Sequence, residues 1–212
     1  MLRGICSWCG CDLLIYRNME KKITQRWFEM PYLYKVQILA YLLSGLCGAI
    51  SYPLTTKLIY SSVDTNVLAS RLVLSSLIGL GLSILWLNIQ NKLYSWFIYF
   101  TIVECVFYTI LVGYVIYSKD FNSYLIISTI IGGTIGHIVD GANSKLHQQI
   151  TNNEQHRTDY GFFIEIVASV GVLIGSAIAV VVNITMPFAF IMALINLIGF
   201  QMTDIYVYKK LN

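Results

Sequence analysis

An all-α fold of six membrane-spanning helices is what this sequence predicts, and three observations predict it. The 212-residue chain is 57% hydrophobic and only 12% charged, against a charge content of about 25% in soluble domains. Its mean hydropathy is +0.66. The apolar residues gather into six runs, and each approaches the roughly 20 residues that a helix rising about 1.5 Å per residue needs to cross about 30 Å of hydrocarbon. Lysine and arginine, finally, stand unevenly about those runs, as expected where cytoplasmic ends hold positive charge.

The first segment, residues 1–32, is expected to be a cytoplasmic tail. Cys6, Cys9 and Cys11 in "CSWCGC" stand close together. A structural zinc site takes four ligands, however, and no second Cys or His pair follows them, since Cys47 and Cys105 fall within spans. A reduced tail holding neither metal nor cofactor is the expectation. Met19 is an alternative start for translation. The first long apolar run begins after Met30 and has no small-residue cleavage site, so the first span itself is expected to target the chain.

The domain at 33–212 carries the six spans, expected at Leu33–Leu58, Val67–Leu87, Leu93–Tyr117, Tyr124–Val139, Tyr160–Val182 and Pro187–Val207. Arg3, Arg17, Lys21, Lys22, Arg26, Lys35, Lys92, Lys145, Arg157, Lys209 and Lys210 fall on one side of this arrangement. Lys57 and Lys119 fall on the other, and Arg71 lies just inside the second span. Both termini are therefore expected in the cytoplasm. The net charge of +3 follows from this bias and implies no nucleic-acid partner. The partner that composition does imply is the lipid bilayer of a cell membrane. Abundant Ile, Asn and Tyr fit an AT-rich bacterial genome, and so a bacterial plasma membrane.

The connections "IYSSVDTN", "NIQNK" and "SKDFNS" are short. One is longer: residues 140–159, "DGANSKLHQQITNNEQHRTD", place Ala142, Leu146 and Ile150 at four-residue spacing and predict a cytoplasmic surface helix. Three spans, an inner linker and three more spans result. His147, Glu154, His156 and Arg157 make that linker a candidate partner surface.

Within the third run, "FIYFTIVECVFYTILVGYVIY", stands Glu104. A carboxylate at such depth costs on the order of 3 kcal/mol by insertion scales, so it is expected to face protein or a wet cavity. Its candidate companions are Arg71, Glu165 and the pair His137 and Asp140. The functional reading gives Glu104, with Glu165 and Arg71, the work of substrate binding or proton coupling. The bland alternatives are a protonated Glu104 hydrogen-bonded to a neighbouring helix and an Arg71 that snorkels to the outer surface. Gly171, Gly175 and Ala179 recur every four residues in the fifth span, and Gly132 and Gly136 do so in the fourth. Such small-residue ridges let helices approach closely and are expected to serve packing and gating. Hydrolase, metalloprotease and phosphate-loop motifs are absent, and His137 with Asp140 is too small a set for a metal or acid–base site. No enzyme is expected.

The segment "GVLIGSAIA" resembles the Gly-x-x-x-Gly-Pro-x-x-Gly pattern in the fifth helix of drug exporters of the major facilitator superfamily. Gly171 and Gly175 match it, while Ser176 and Ala179 replace the proline and the later glycine. "GANSKLHQQITNNEQHRTDYGFF" and "YLLSGLCGAISYPLTTKLIY", with Pro53, are similar to the fourth-to-fifth passage and the first helix of its macrolide and siderophore exporter branch. In the loop after the second span, "ILWLNIQNK" keeps Asn88 and Lys92 where that family has Asp and a final base, and it has Ile84 and Ile89 in the glycine and arginine places.

The resemblance covers six spans of a twelve-span family and thus implies half a transporter, built from two three-helix repeats with the substrate path between two halves. It further implies a homodimer or a partner half, and a small molecule or peptide as the exported substrate. Two other readings stay open: a substrate-capturing subunit of a larger uptake complex, and a non-transporting accessory or immunity protein.

Overall fold

The computed structural model describes the backbone at 24–150 and 154–211, and all side chains there except those of 83, 85–93 and 154–158. The cysteine cluster at Cys6, Cys9 and Cys11, the start at Met19 and the cations Arg3, Arg17, Lys21 and Lys22 lie outside the described residues, whereas Arg26 is described and pairs with Asp159 at 2.7 Å. So do the side chains of Asn88, Lys92, Glu154, His156 and Arg157.

Every described element is helical. After a short helical stretch over 24–29 come α1 (Tyr32–Ser62), α2 (Thr65–Ser95), α3 (Phe97–Ser118) and α4 (Phe121–Ile131), then a π-helical turn (Gly132–Gly136), α5 (His137–Ile150), α6 (Glu154–Val181) and α7 (Met186–Leu211). Since α4, the π turn and α5 run on without a break, six helices are long and apolar enough to cross a membrane. The chain is a multi-pass membrane protein.

Most helix ends lie beyond the expected spans; the exceptions are the third, which starts at Phe97 and not Leu93 because residues 93–95 belong to α2, and the fifth, which ends at Val181 and not Val182. The apolar runs mark only the hydrocarbon-crossing part, whereas the backbone stays helical beyond it because intrahelical bonds still satisfy N–H and C=O groups at the interface. Thus α2 continues through the polar "NIQNK" to Ser95, and only Trp96 separates it from α3. The linker expected at 140–159 is likewise different: its first part, to Ile150, prolongs the fourth span as α5. Ala142, Leu146 and Ile150 do form one apolar stripe, but that stripe is buried. It packs with Tyr34, Ile38, Phe97, Tyr160 and Val207.

That cluster closes the end of the bundle where the described chain begins and finishes. A second apolar cluster, including Val63, Val115, Phe121, Leu125 and Phe190, closes the opposite end. The turn there is built from Lys119, in the left-handed region at φ 58°, and from Asp120, whose carboxylate accepts the Ser123 backbone N–H at 3.1 Å and caps α4.

Packing between helices is uneven. α1 lies along α6 and α7, α3 packs on α7 and α4, and α2 packs on α4, the π turn and α5. The closest approach joins α1 and α6. A Cβ at Gly45 would stand 2.4 Å from the Ala168 carbonyl oxygen, one at Gly171 as near that of Leu42, and one at Gly175 as near that of Leu46. Only glycine lets these backbones meet.

Candidate functional site

Between the two apolar ends lies a cavity of about 470 Å³. Its position follows from the sequence of each contributing helix, because polar residues interrupt otherwise apolar runs at the same level. Tyr41 and Ser44 come from α1, Glu104 and Tyr108 from α3, Tyr124 from α4, Asp140 and Asn143 from α5, and Asn196 and Gln201 from α7. Aliphatic side chains, among them Val112, Leu194 and Leu197, complete the wall, and among the described residues no lysine, arginine or histidine lines it.

Glu104 is only 5% exposed, yet it belongs to this wall. Its Oε2 accepts a hydrogen bond from Gln201 Nε2 at 2.9 Å, across from α7. Room for the carboxylate exists because residue 136 is glycine: a Cβ there would stand 2.9 Å from Glu104 Oε1. One turn earlier, a Cβ at Gly132 would stand 2.9 Å from the Tyr108 hydroxyl. Both glycines belong to the π-helical turn, a distortion that often marks functional positions in helices. Two buried acceptors, Asn143 Oδ1 and Gln201 Oε1, have no hydrogen-bond partner. A buried polar atom left unmatched costs roughly 1–3 kcal/mol, so a ligand or water able to donate would be welcomed here.

A second cavity, about 320 Å³, adjoins the first on the side of the α1–α2 turn and is lined by Arg71, Ser75, Ser128 and Thr129. Tyr108 and Tyr124 line both cavities and so form the boundary between them. The Tyr108 hydroxyl donates weakly, at 3.3 Å, to the Ser128 carbonyl.

The structure separates the residues that the sequence brought forward. Glu104 lines the first cavity and Arg71 the second, with Arg71 largely exposed. Glu165 is exposed on α6 and lines neither. Of the pair His137 and Asp140, only Asp140 reaches the wall. Gly132 and Gly136 accommodate site side chains, whereas Gly171 and Gly175 meet the backbone of α1.

Sequence reasoning missed Gln201, Asn143, Tyr108 and Tyr124. It also missed a buried network near the first apolar cluster. There Gln37 Nε2 donates to Asp204 Oδ1 at 2.9 Å and lies 2.8 Å from His147 Nε2, while Tyr160 Oη donates to Gln37 Oε1 at 2.8 Å. The signal that exposed Glu104, a polar side chain within an apolar run, also marks Gln37, Gln201 and Asp204. They stand nearer the ends of their runs and read there as interfacial.

No protein-family model matches the chain, and neither a curated protein nor a solved structure matches it. The chemistry of the cavity therefore carries the functional reading.

Proposed function

We propose that this chain is a membrane transport protein, a half-size exporter-like transporter that holds a small molecule or peptide bearing positive charge in the Glu104 cavity. The observation that carries the reading is a carboxylate buried within a membrane helix that nevertheless lines an open space of about 470 Å³. Acidic groups within spans commonly mark ion or substrate pathways. With Glu104 and Asp140 in the wall, unmatched acceptors on Asn143 and Gln201, and aromatic faces from Tyr41, Tyr108, Tyr124 and Phe200, the cavity suits a cation with N–H donors.

The packing pairs support two three-helix repeats. Counted by spans, the first packs on the fifth and sixth, the second on the fourth, and the third on the fourth and sixth. Exchanging spans one, two and three for four, five and six maps these pairs onto one another, as expected of an inverted repeat. A bacterial plasma membrane with both termini cytoplasmic, and a second copy or partner half completing the path, belong to the same proposal.

A second reading is a substrate-capturing subunit of a larger uptake complex. It is favoured by six candidate spans joined by short connections among the described residues. Proteoliposomes loaded with a panel of organic cations, basic peptides and matched neutral and anionic compounds separate the two. Flux of cations by the chain alone supports the first reading, and flux only with an added ATPase partner supports the second. High-affinity binding or flux confined to anions contradicts the cationic assignment. Absence of both flux and binding leaves the non-transporting accessory reading.

A further inference from the structure

We infer that Asp204 is a second, separate proton-binding site, placed between the Glu104 cavity and the end of the bundle that holds both described termini. Asp204 is fully buried, at 0% exposure, and one of its two carboxyl oxygens, Oδ2, has no hydrogen-bond partner. The reason lies in how Gln37 is used. Its amide has two N–H hydrogens and both are directed elsewhere than Oδ2: one goes to Asp204 Oδ1 and the other to His147 Nε2, which therefore accepts. Its carbonyl is held by the Tyr160 hydroxyl. Every bonding group of Gln37 that faces this cluster is committed, so its orientation is fixed and it has no further donor for Asp204.

An ionised carboxylate in such surroundings lacks the donors that burial of a charge demands. A metal ion would need several oxygen ligands at once, and Asp204 does not line the Glu104 cavity in which a hydrated ion would fit. A proton needs neither space nor further ligands. It is taken from hydronium, leaves water behind, forms the O–H bond on Oδ2, and returns to water by the reverse step when the helices open.

The titratable groups around Asp204 are identifiable on each packed helix. Tyr41 of α1 and Tyr160 of α6 lie within electrostatic range, and Tyr34 of α1 packs edge-on against Tyr160 at 5.2 Å. His147 of α5 lies beyond Gln37. Glu104 of α3 lies on the other side of Gln201, which precedes Asp204 by about one turn of α7. None of the groups named supplies a positive charge to Asp204 in this arrangement. Asp204 and Gln201, the partner of Glu104, thus stand on successive turns of α7. The binding site stands apart from the transport reading, but a role in coupling rests on it: the inner carboxylate exchanges its proton with the cytoplasmic side while the cavity carboxylate handles the solute.

The test uses the full chain in lipid nanodiscs. Infrared difference spectra between acidic and alkaline pH are recorded with aspartate carrying carbon-13 in its carboxyl group. A protonated-carboxyl band that shifts with the label, persists in Glu104→Gln and disappears in Asp204→Asn is the expected result. The asparagine keeps an acceptor for Gln37 and preserves the network. Absence of any label-sensitive band in the wild-type protein, which needs no variant to fold, overturns the assignment; so does a band unchanged by Asp204→Asn. In proteoliposomes, Asp204→Asn is expected to lose concentrative flux while retaining downhill exchange. Retained concentrative flux refutes the coupling role. A wild-type protein that moves no solute refutes the transport reading and leaves the infrared result to decide the proton site.

Discussion

A carboxylate survives inside a lipid-spanning helix only if something compensates its lost hydration. For Glu104 the compensation is one amide donor from Gln201 and contact with a cavity. Gln201→Leu removes that donor and leaves the carboxylate half-served. We expect a loss of about 1–3 kcal/mol in stability, measured by thermal unfolding in detergent, together with weaker cation binding. At the membrane surface, Asp120 gives a prediction whose sign follows from its hydrogen bonds. The Ser123 side chain, then the Ser123 backbone, hold its carboxyl below the ordinary value of 3.8. Its folded value is thus depressed, so the contribution of this cap is fully present above 3.8 and is lost as pH falls through the lower folded value. Amide exchange at Ser123 and Tyr124 should quicken on acidification through that window, and Asp120→Ala should abolish the acid step. Glu104 was legible in the sequence because it stands alone in an apolar run. Its partner was not, since nothing in the order of residues pairs position 104 with position 201, brought together only by the packing of α3 on α7.

Two helix contacts with the same glycine chemistry differ in what replacement would cost. At Gly171, a Cβ meets the carbonyl oxygen of Leu42 at 2.4 Å, and backbone cannot swing aside. Gly171→Ala should therefore force α1 and α6 apart, with a penalty of roughly 1–3 kcal/mol as for other overpacked interiors, read as a lower melting temperature or lost monodisperse yield. At Gly136, the atom in the way is the tip of the Glu104 side chain, 2.9 Å off, which can rotate. Gly136→Ala should fold nearly as well as wild type and yet weaken cation binding by displacing the carboxylate. Equal destabilisation by both substitutions would contradict this division. The four-residue spacing of these glycines was visible in the sequence, but which ridge meets backbone and which meets a side chain of the cavity wall was not. That depends on the partner helix. In the same way, the stripe Ala142, Leu146 and Ile150 announced a helix, while its burial required knowing that Tyr34, Tyr160 and Val207 would converge on it.

At the scale of the molecule, an apolar cluster at each end and a polar space between them is an arrangement suited to alternate opening. The apolar runs were enough to give six crossings, because the energetic demand of hydrocarbon is nearly uniform along a span. It could not place helix ends, where water relaxes that demand and polar residues such as those of "NIQNK" stay helical. No residue of the window Thr65–Leu82 of α2 is fully buried, although Val67 and Leu68 pack on the second cluster, and its exposed Leu72, Leu77 and Leu80 leave a face for lipid or a second copy. Crosslinking between cysteines introduced along this face, in native membranes, should yield a dimer if the half-transporter is completed by itself. Absence of dimer together with solute flux would contradict that requirement. The most direct measurement of the whole account compares cation flux in proteoliposomes for wild type, Glu104→Gln and Glu165→Gln, each checked for folding. Loss of flux in Glu104→Gln with flux preserved in Glu165→Gln is the predicted result. Undiminished flux in Glu104→Gln would contradict it.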